Sequence, residues 1–193
     1  MRILIDNKHE ANIDLVQGQI KAWWGKLCSD INNADRFIYS ISIDDQPVYD
    51  FFVEYIESNL ATLKELNILT KTKQESIIET TEAISEYFDR FLPSISQLSD
   101  HFYGEITEEN WGAFSYFIEG LSWILKSIEF LQVISGQEAY SIHNKALQEL
   151  SKIVEDLETA LEDEQYVVVG DLMQYELSPV LESYKEEITK MGI

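Results

Sequence analysis

From Thr72 onward, apolar side chains recur three or four residues apart, and the pattern persists for almost two thirds of the chain. That spacing lines one face of an α-helix and rules out a strand, whose side chains change face at every residue. A helix with an apolar stripe must bury it, so this part of the chain has to stack long helices on one another.

Four helices follow from the pattern. The first opens at Thr72 to Glu75, a capping box whose hydroxyl and carboxylate satisfy orphan amide protons. It carries Ile77, Ile84, Phe88, Phe91, Ile95, Leu98 and Phe102, with a kink expected at Pro93 and an end at Gly104. The second starts at Thr107, with Glu108 and Glu109 against the positive end of the dipole. Its apolar residues run from Trp111 to Leu131, flanked by Tyr116, Trp123 and Phe130, and so wide a stripe predicts the most buried helix of the set. Ser135 and Gly136 close it, and a third helix follows from about Glu138 to Leu161.

The run Tyr166 to Val169 is rich in β-branched residues and reads locally as a strand. Beyond it Leu172, Met173, Leu177, Leu181, Tyr184, Ile188 and Met191 keep a period near 3.6, so the run is predicted to be the first turn of a fourth helix. Asp163 is its expected cap and Pro179 its expected bend.

The first 70 residues read differently. Arg2–Ile5, Arg36–Ile43 and Leu66–Thr70 have strand character, and in the second of these Phe37, Tyr39, Ile41 and Ile43 alternate with Ser40 and Ser42. Between them lie two helical patterns: Ile13, Val16, Ile20, Trp23, Leu27 and Ile31, then Val48, Phe51, Phe52, Tyr55, Ile56 and Leu60. This order suggests a small α/β unit, whose crossovers would be right-handed if the strands pair in parallel, and the turn residues Asp44, Asp45 and Pro47 make a hairpin the competing topology. The expected fold is therefore α+β and mainly α: a small mixed α/β unit at residues 1–70 packed on an antiparallel four-helix bundle at residues 71–193.

Charge limits what such a chain binds. Its 14 Lys and Arg against 35 Asp and Glu leave a net −21, which repels phosphate backbones and anionic lipid. Nucleic acid and membrane surfaces are excluded as partners on that ground, and a basic protein is favoured. Cys28 is the single cysteine, which rules out an intrachain disulfide and a cysteine zinc site and fits a reducing cytosol. The N-terminus has no apolar signal core, and Glu119, Lys126 and Glu129 interrupt the most apolar stretch, so the chain is expected to be soluble and cytoplasmic.

No catalytic residue, metal site or cofactor follows from the motifs. No Glu is followed by His three residues on, no glycine-rich phosphate loop occurs, and no oxygen-ligand loop fits calcium. His9 follows Asp6 in an expected loop, His101 falls at a helix end, and His143 is expected as a satisfied core residue. Among the carboxylates, Glu119 lies beside Ile118 in the most apolar helix with Trp123 four residues on, and Glu176 lies between Tyr175 and Leu177. Burial would raise their pKa and make them acids, while the plainer expectation is that both face water.

Trp23 and Trp24 point about 100° apart on a helix and should not share one core; packing of one against the junction between the two halves is the favoured expectation, with the other as an interaction anchor. With Tyr39, Tyr49 and Tyr55 they give the first unit more aromatic surface than it can readily bury, which points to a protein or dimer contact. The sequence thus favours a non-enzymatic interaction module, an adaptor, regulator or chaperone-like protein with a basic partner. The alternative is a hydrolase or metal-dependent enzyme whose carboxylates meet only in the tertiary structure, and a homodimer is compatible with either.

Overall fold

A computed structural model describes residues 1–12, 18–48 and 52–190; Ile13, Val16, Tyr49, Phe51 and Met191 lie outside them. Two compact units divide the chain, Met1–Ser76 and Ile77–Ile193.

In the first unit the strands are β1 (Arg2–Ile5), β2 (Lys8–Asn12), β3 (Arg36–Ile43), β4 (Gln46–Pro47) and β5 (Glu65–Thr72), with helices α1 (Ile20–Asn33) and α2 (Phe52–Asn59). Among the described residues they form one mixed sheet in the order β2-β1-β5-β3-β4, where β1 runs parallel to β5 and β3 antiparallel to it. Both edges are hairpins, so the hairpin at Asp44–Asp45 is the topology adopted. Asp6 and Asn7, like Asp44 and Asp45, have φ between 47° and 65°. Two left-handed central residues give the turn whose twist matches that of two paired strands. Residues 8–12 are therefore a strand, not the loop expected around His9: the turn pairs them with β1 although they carry no apolar alternation.

One network ties that first turn to the rest of the sheet. The Asp6 carboxylate accepts the Thr70 amide at 2.7 Å and the Thr70 hydroxyl at 2.8 Å, with the Arg36 guanidinium 3.7 Å away. Burial raises the Asp6 pKa, but the Thr70 hydrogen bonds and Arg36 outweigh it and hold the carboxyl below its ordinary value. The core of this unit is Ile3, Ile20, Ile41, Ile43, Ile56, Leu66 and Ile68.

In the second unit α3 (Lys73–His101), α4 (Glu108–Ile134) and α5 (Gln137–Glu162) are followed by one composite helix: α6 (Tyr166–Asp171), a π segment (Leu172–Leu177) and α7 (Ser178–Lys190). Neighbouring helices run antiparallel. Phe102 meets Trp111 and Tyr87 meets Trp123 between α3 and α4, Gln132 bonds Asn144 between α4 and α5, and Lys185 reaches Asp89 while Tyr103 reaches Asp171 between the last helix and α3. The protein is α+β, mainly α, with a small mixed sheet at the N-terminus and a four-helix bundle after it.

The expected capping box is formed: Glu75 accepts the Thr72 amide at 2.7 Å and Thr72 accepts the Glu75 amide at 3.1 Å. Thr107 and Asn110 make a second at the start of α4. Asp163 does not cap the fourth helix. It ends α5, its amide bonded to Thr159, and Gln165 precedes α6 after a left-handed Glu164. A connection this short needs the positive φ at Glu164 more than it needs a side-chain cap.

The composite helix explains its own π segment. Val169, Met173, Leu177 and Leu181 are all fully buried and are separated by three successive steps of four residues. On a regular α-helix each such step drifts about 40° off the face, and the wider i→i+5 coil from Leu172 to Leu177 takes up the drift. At Gly170 this helix approaches α3 closely: a Cβ there would stand 3.2 Å from the Ser99 carbonyl and 3.3 Å from the Phe102 Cβ.

Candidate functional site

The most apolar helix is not the most buried. Along α4, Phe114, Phe117, Leu121, Ile124, Ile128 and Leu131 enter the core at alternating steps of three and four. The opposite side carries Tyr116 (76% exposed), Trp123 (41%) and Phe130 (39%), with Val133 (81%) beyond them. Steps of seven drift only about 20° each, so the three rings form one stripe, and Tyr116 to Val133 spans about 26 Å of helix. A helix in an antiparallel bundle has room to bury only one face, which is why the wide apolar circumference leaves a second stripe in water.

Beside this stripe a cleft of about 450 Å³ opens between α3 and α4. Its α3 wall follows from spacing: Arg90, Ser94, Gln97 and His101 recur at steps of four, three and four, next to the buried Phe91 and Leu98. On the α4 side Ala113 leaves the space a larger residue would fill, and Tyr116 and Phe117 bound it. Phe91 stacks on Phe117 with centroids 5.2 Å apart, and on Tyr87 at 5.4 Å. The Tyr87 hydroxyl lies over Gly120, which lacks the Cβ that would displace it, and its ring meets Trp123 edge-on at 5.0 Å. Cleft and stripe are therefore one continuous aromatic surface.

The electrostatics of the cleft depart from those of the chain. Residues 77–193 hold 6 Lys and Arg against 23 Asp and Glu, a net −17, yet no Asp or Glu lines the cleft. Arg90 is the sole arginine of that stretch, and its guanidinium lies 5.6 Å from the centroid of the Tyr87 ring. Among the described residues no ion pair reaches it, and the adjacent Asp89 pairs with Lys185 at 2.6 Å.

The residues singled out in the sequence fall elsewhere. Trp23 and Trp24 meet at 6.0 Å, and both pack half-buried against the same core, contrary to the expectation that only one could. Neighbours 100° apart can flank one core when neither is fully inside it. Tyr39 is 57% exposed because a bulge between Ile38 and Ser40 turns it out of the alternation and brings Ile38 onto the core, with Lys71 3.2 Å from its ring centroid. Tyr55 is exposed on α2, and Tyr49 lies outside the described residues. Glu119 on α4 and Glu176 in the π segment are both exposed, so neither is a buried acid. Among the described residues no three His, Cys, Asp or Glu side chains gather as a metal would require.

His143 is a buried, satisfied residue: Nδ1 is 2.9 Å from the Tyr184 hydroxyl and Nε2 is 3.4 Å from the Ser135 hydroxyl. Burial pushes its pKa down and that of Tyr184 up. At the other end of the bundle Tyr103 donates to Asp171 at 2.8 Å, which with slight burial pushes the phenol up to about 12. His101 sits at the last turn of α3 and faces the cleft. The cleft was missed in the sequence, where its one signal was the polar series from Arg90 to His101 running beside the apolar stripe.

No curated protein and no solved structure matches this chain. Residues 79–187, which contain the whole cleft and the π segment, match the family described as Domain of unknown function (DUF8042). That segment is more than half of the chain, and the protein belongs to the DUF8042 family.

Proposed function

We propose that this protein is a non-enzymatic, cytoplasmic interaction module that docks a basic protein through the exposed face of α4. The observation that carries this reading is the Tyr116, Trp123 and Phe130 stripe. Large rings held on a rigid helix are the anchors that dominate protein contacts, and isolated exposure does not place three of them in register. The surrounding surface, with 23 carboxylates in residues 77–193, would steer a cationic partner toward that stripe and set its orientation. The enzyme reading has less to stand on, since Glu119 and Glu176 are exposed on separate elements.

The test is affinity capture from native lysate with the wild type and with a Trp123→Ala, Phe130→Ala double variant, each at low and moderate salt. One basic protein retained by the wild type, released as salt rises and absent from the variant is the expected result. Equal retention by both proteins would move the contact away from α4, and no salt-sensitive capture by the wild type would remove the reading.

A further inference from the structure

We infer that the cleft between α3 and α4 binds a small planar aromatic carboxylate, its anion held by Arg90 and its ring lying against Phe91 and Phe117. This goes beyond the docking role of the α4 stripe and does not depend on it.

Size comes first. A volume of about 450 Å³ falls within the range of small-molecule sites, which combine mostly apolar walls with a few polar points. Here the walls are the stacked rings of Tyr87, Phe91 and Phe117, and the polar points are Arg90, Ser94, Gln97 and His101. Phe91 and Phe117 stack on each other with 6° between planes and are each 5% exposed, so what they offer at the floor of the cleft is ring edges, against which another flat ring can pack edge-to-face.

Charge decides the sign of the ligand. A cation would be welcomed almost anywhere on a surface of net −21, but in the cleft it would meet Arg90 and no carboxylate. An anion meets a guanidinium that has no ion pair among the described residues and whose planar fork matches a carboxylate. Tyr87 lies beneath that guanidinium and orients it at the rim. Of the carboxylates near it on α3, Asp89 is held by Lys185, and Glu86, one turn earlier, makes no ion pair with Arg90. The general repulsion of the acidic surface opposes entry, yet it is screened beyond about 8 Å at physiological ionic strength.

The probe is 2-naphthoate, titrated calorimetrically into the full chain, with uncharged 2-naphthylmethanol and aliphatic dodecanoate as comparisons. One saturable site with Kd on the order of 0.1 mM is expected for naphthoate, and binding of the alcohol about fivefold weaker. Arg90→Gln should bring naphthoate down to the level of the alcohol. Ala113→Leu, which fills the cleft from the α4 side, should abolish both. Both substitutions are at exposed positions, and unchanged unfolding midpoints confirm that the variants are folded. Absence of saturation up to about 5 mM, affinity unaltered in either variant, or tighter binding of dodecanoate than of naphthoate would each overturn the assignment.

Discussion

At the scale of single residues, the His143 and Tyr184 pair links packing to pH. The imidazole is 1% exposed and carries no charged partner, so the folded protein keeps it neutral and its pKa lies below the ordinary 6.5. In the unfolded chain that ordinary value returns, and between the two values the unfolded state binds more protons than the folded one. The stability this site contributes is therefore complete above pH 6.5 and is lost as pH falls from there through the lower folded value. The stability of so acidic a chain depends on more than one site, so the wild-type curve alone does not isolate the effect. His143→Gln removes the titration while leaving an amide that can still accept from Tyr184. Thermal midpoints of the two proteins at pH 7.5 and 5.5 should show the wild type losing ground to the variant on acidification, and parallel midpoints would mean that the imidazole is not held neutral. The burial of His143 was legible from its place at the start of an apolar stripe. Its partner was not, because Tyr184 lies 41 residues away and nothing local announces the contact.

At the scale of elements, long helices were legible and their irregularities were not. The 3 and 4 spacing located α3, α4, α5 and the composite helix, and the sequence showed the Thr72 to Glu75 capping box and the Thr107 cap, but not that Asn110 completes a second box with Thr107. Strand β2 was not legible, since its register is imposed by the left-handed turn at Asp6 and Asn7 and no side-chain pattern of its own marks it. The second face of α4 was misread for a related reason: hydrophobicity records what could be buried, whereas neighbours decide what is. The π segment had a signal that a mean period hides, the three consecutive steps of four from Val169 to Leu181. Deleting Tyr175, an exposed residue inside it, shortens the middle step to three and restores the pattern of a regular α-helix. Pro179 now sits in the first turn of α7, where a missing amide proton is tolerated, and in a continuous helix it would cost about 3 kcal/mol. The deletion is therefore best made with Pro179→Ala, and that variant should unfold cooperatively with stability close to the wild type. Deleting the exposed Glu119 instead should cost several kcal/mol, roughly the sum of a few misplaced core side chains, because it turns Phe114 and Phe117 off the face shared with Leu121 and Ile124. Urea unfolding of both variants distinguishes the outcomes: equal losses would mean that the π segment is not a one-residue insertion into an α-helix.

At the scale of the whole molecule, the two units differ in how much of their order is their own. The helical unit has a continuous core running from Ile84 to Ile188 that draws on all four of its helices, and the family match covers this unit from residue 79 to 187. Among the described residues the core cluster of the sheet unit holds seven buried aliphatic side chains, with a few polar ties such as Asp6 to Thr70. A chain of this composition could be seen to split near residue 70, because the period of its apolar residues changes there. The structural division at Ser76 lies a little later, since the first turn of α3 groups with the sheet, and Arg36 contacts Glu75 at 3.4 Å. Residues 71–193 include the complete capping box at the start of α3, so a fragment beginning at residue 71 leaves no helix end exposed. Against its folding stands charge: 8 basic and 24 acidic residues give this stretch a net −16, and compaction brings those charges together. That repulsion is screened by salt while the apolar core is not weakened by it, so burial should win and the margin should widen as ionic strength rises. The expected result is a fragment 71–193 that is strongly helical by circular dichroism and unfolds in one cooperative thermal transition, with a midpoint that climbs between 0.02 and about 0.3 M sodium chloride. A broad, non-cooperative melt at the higher salt would mean that the four helices depend on the sheet unit for their packing.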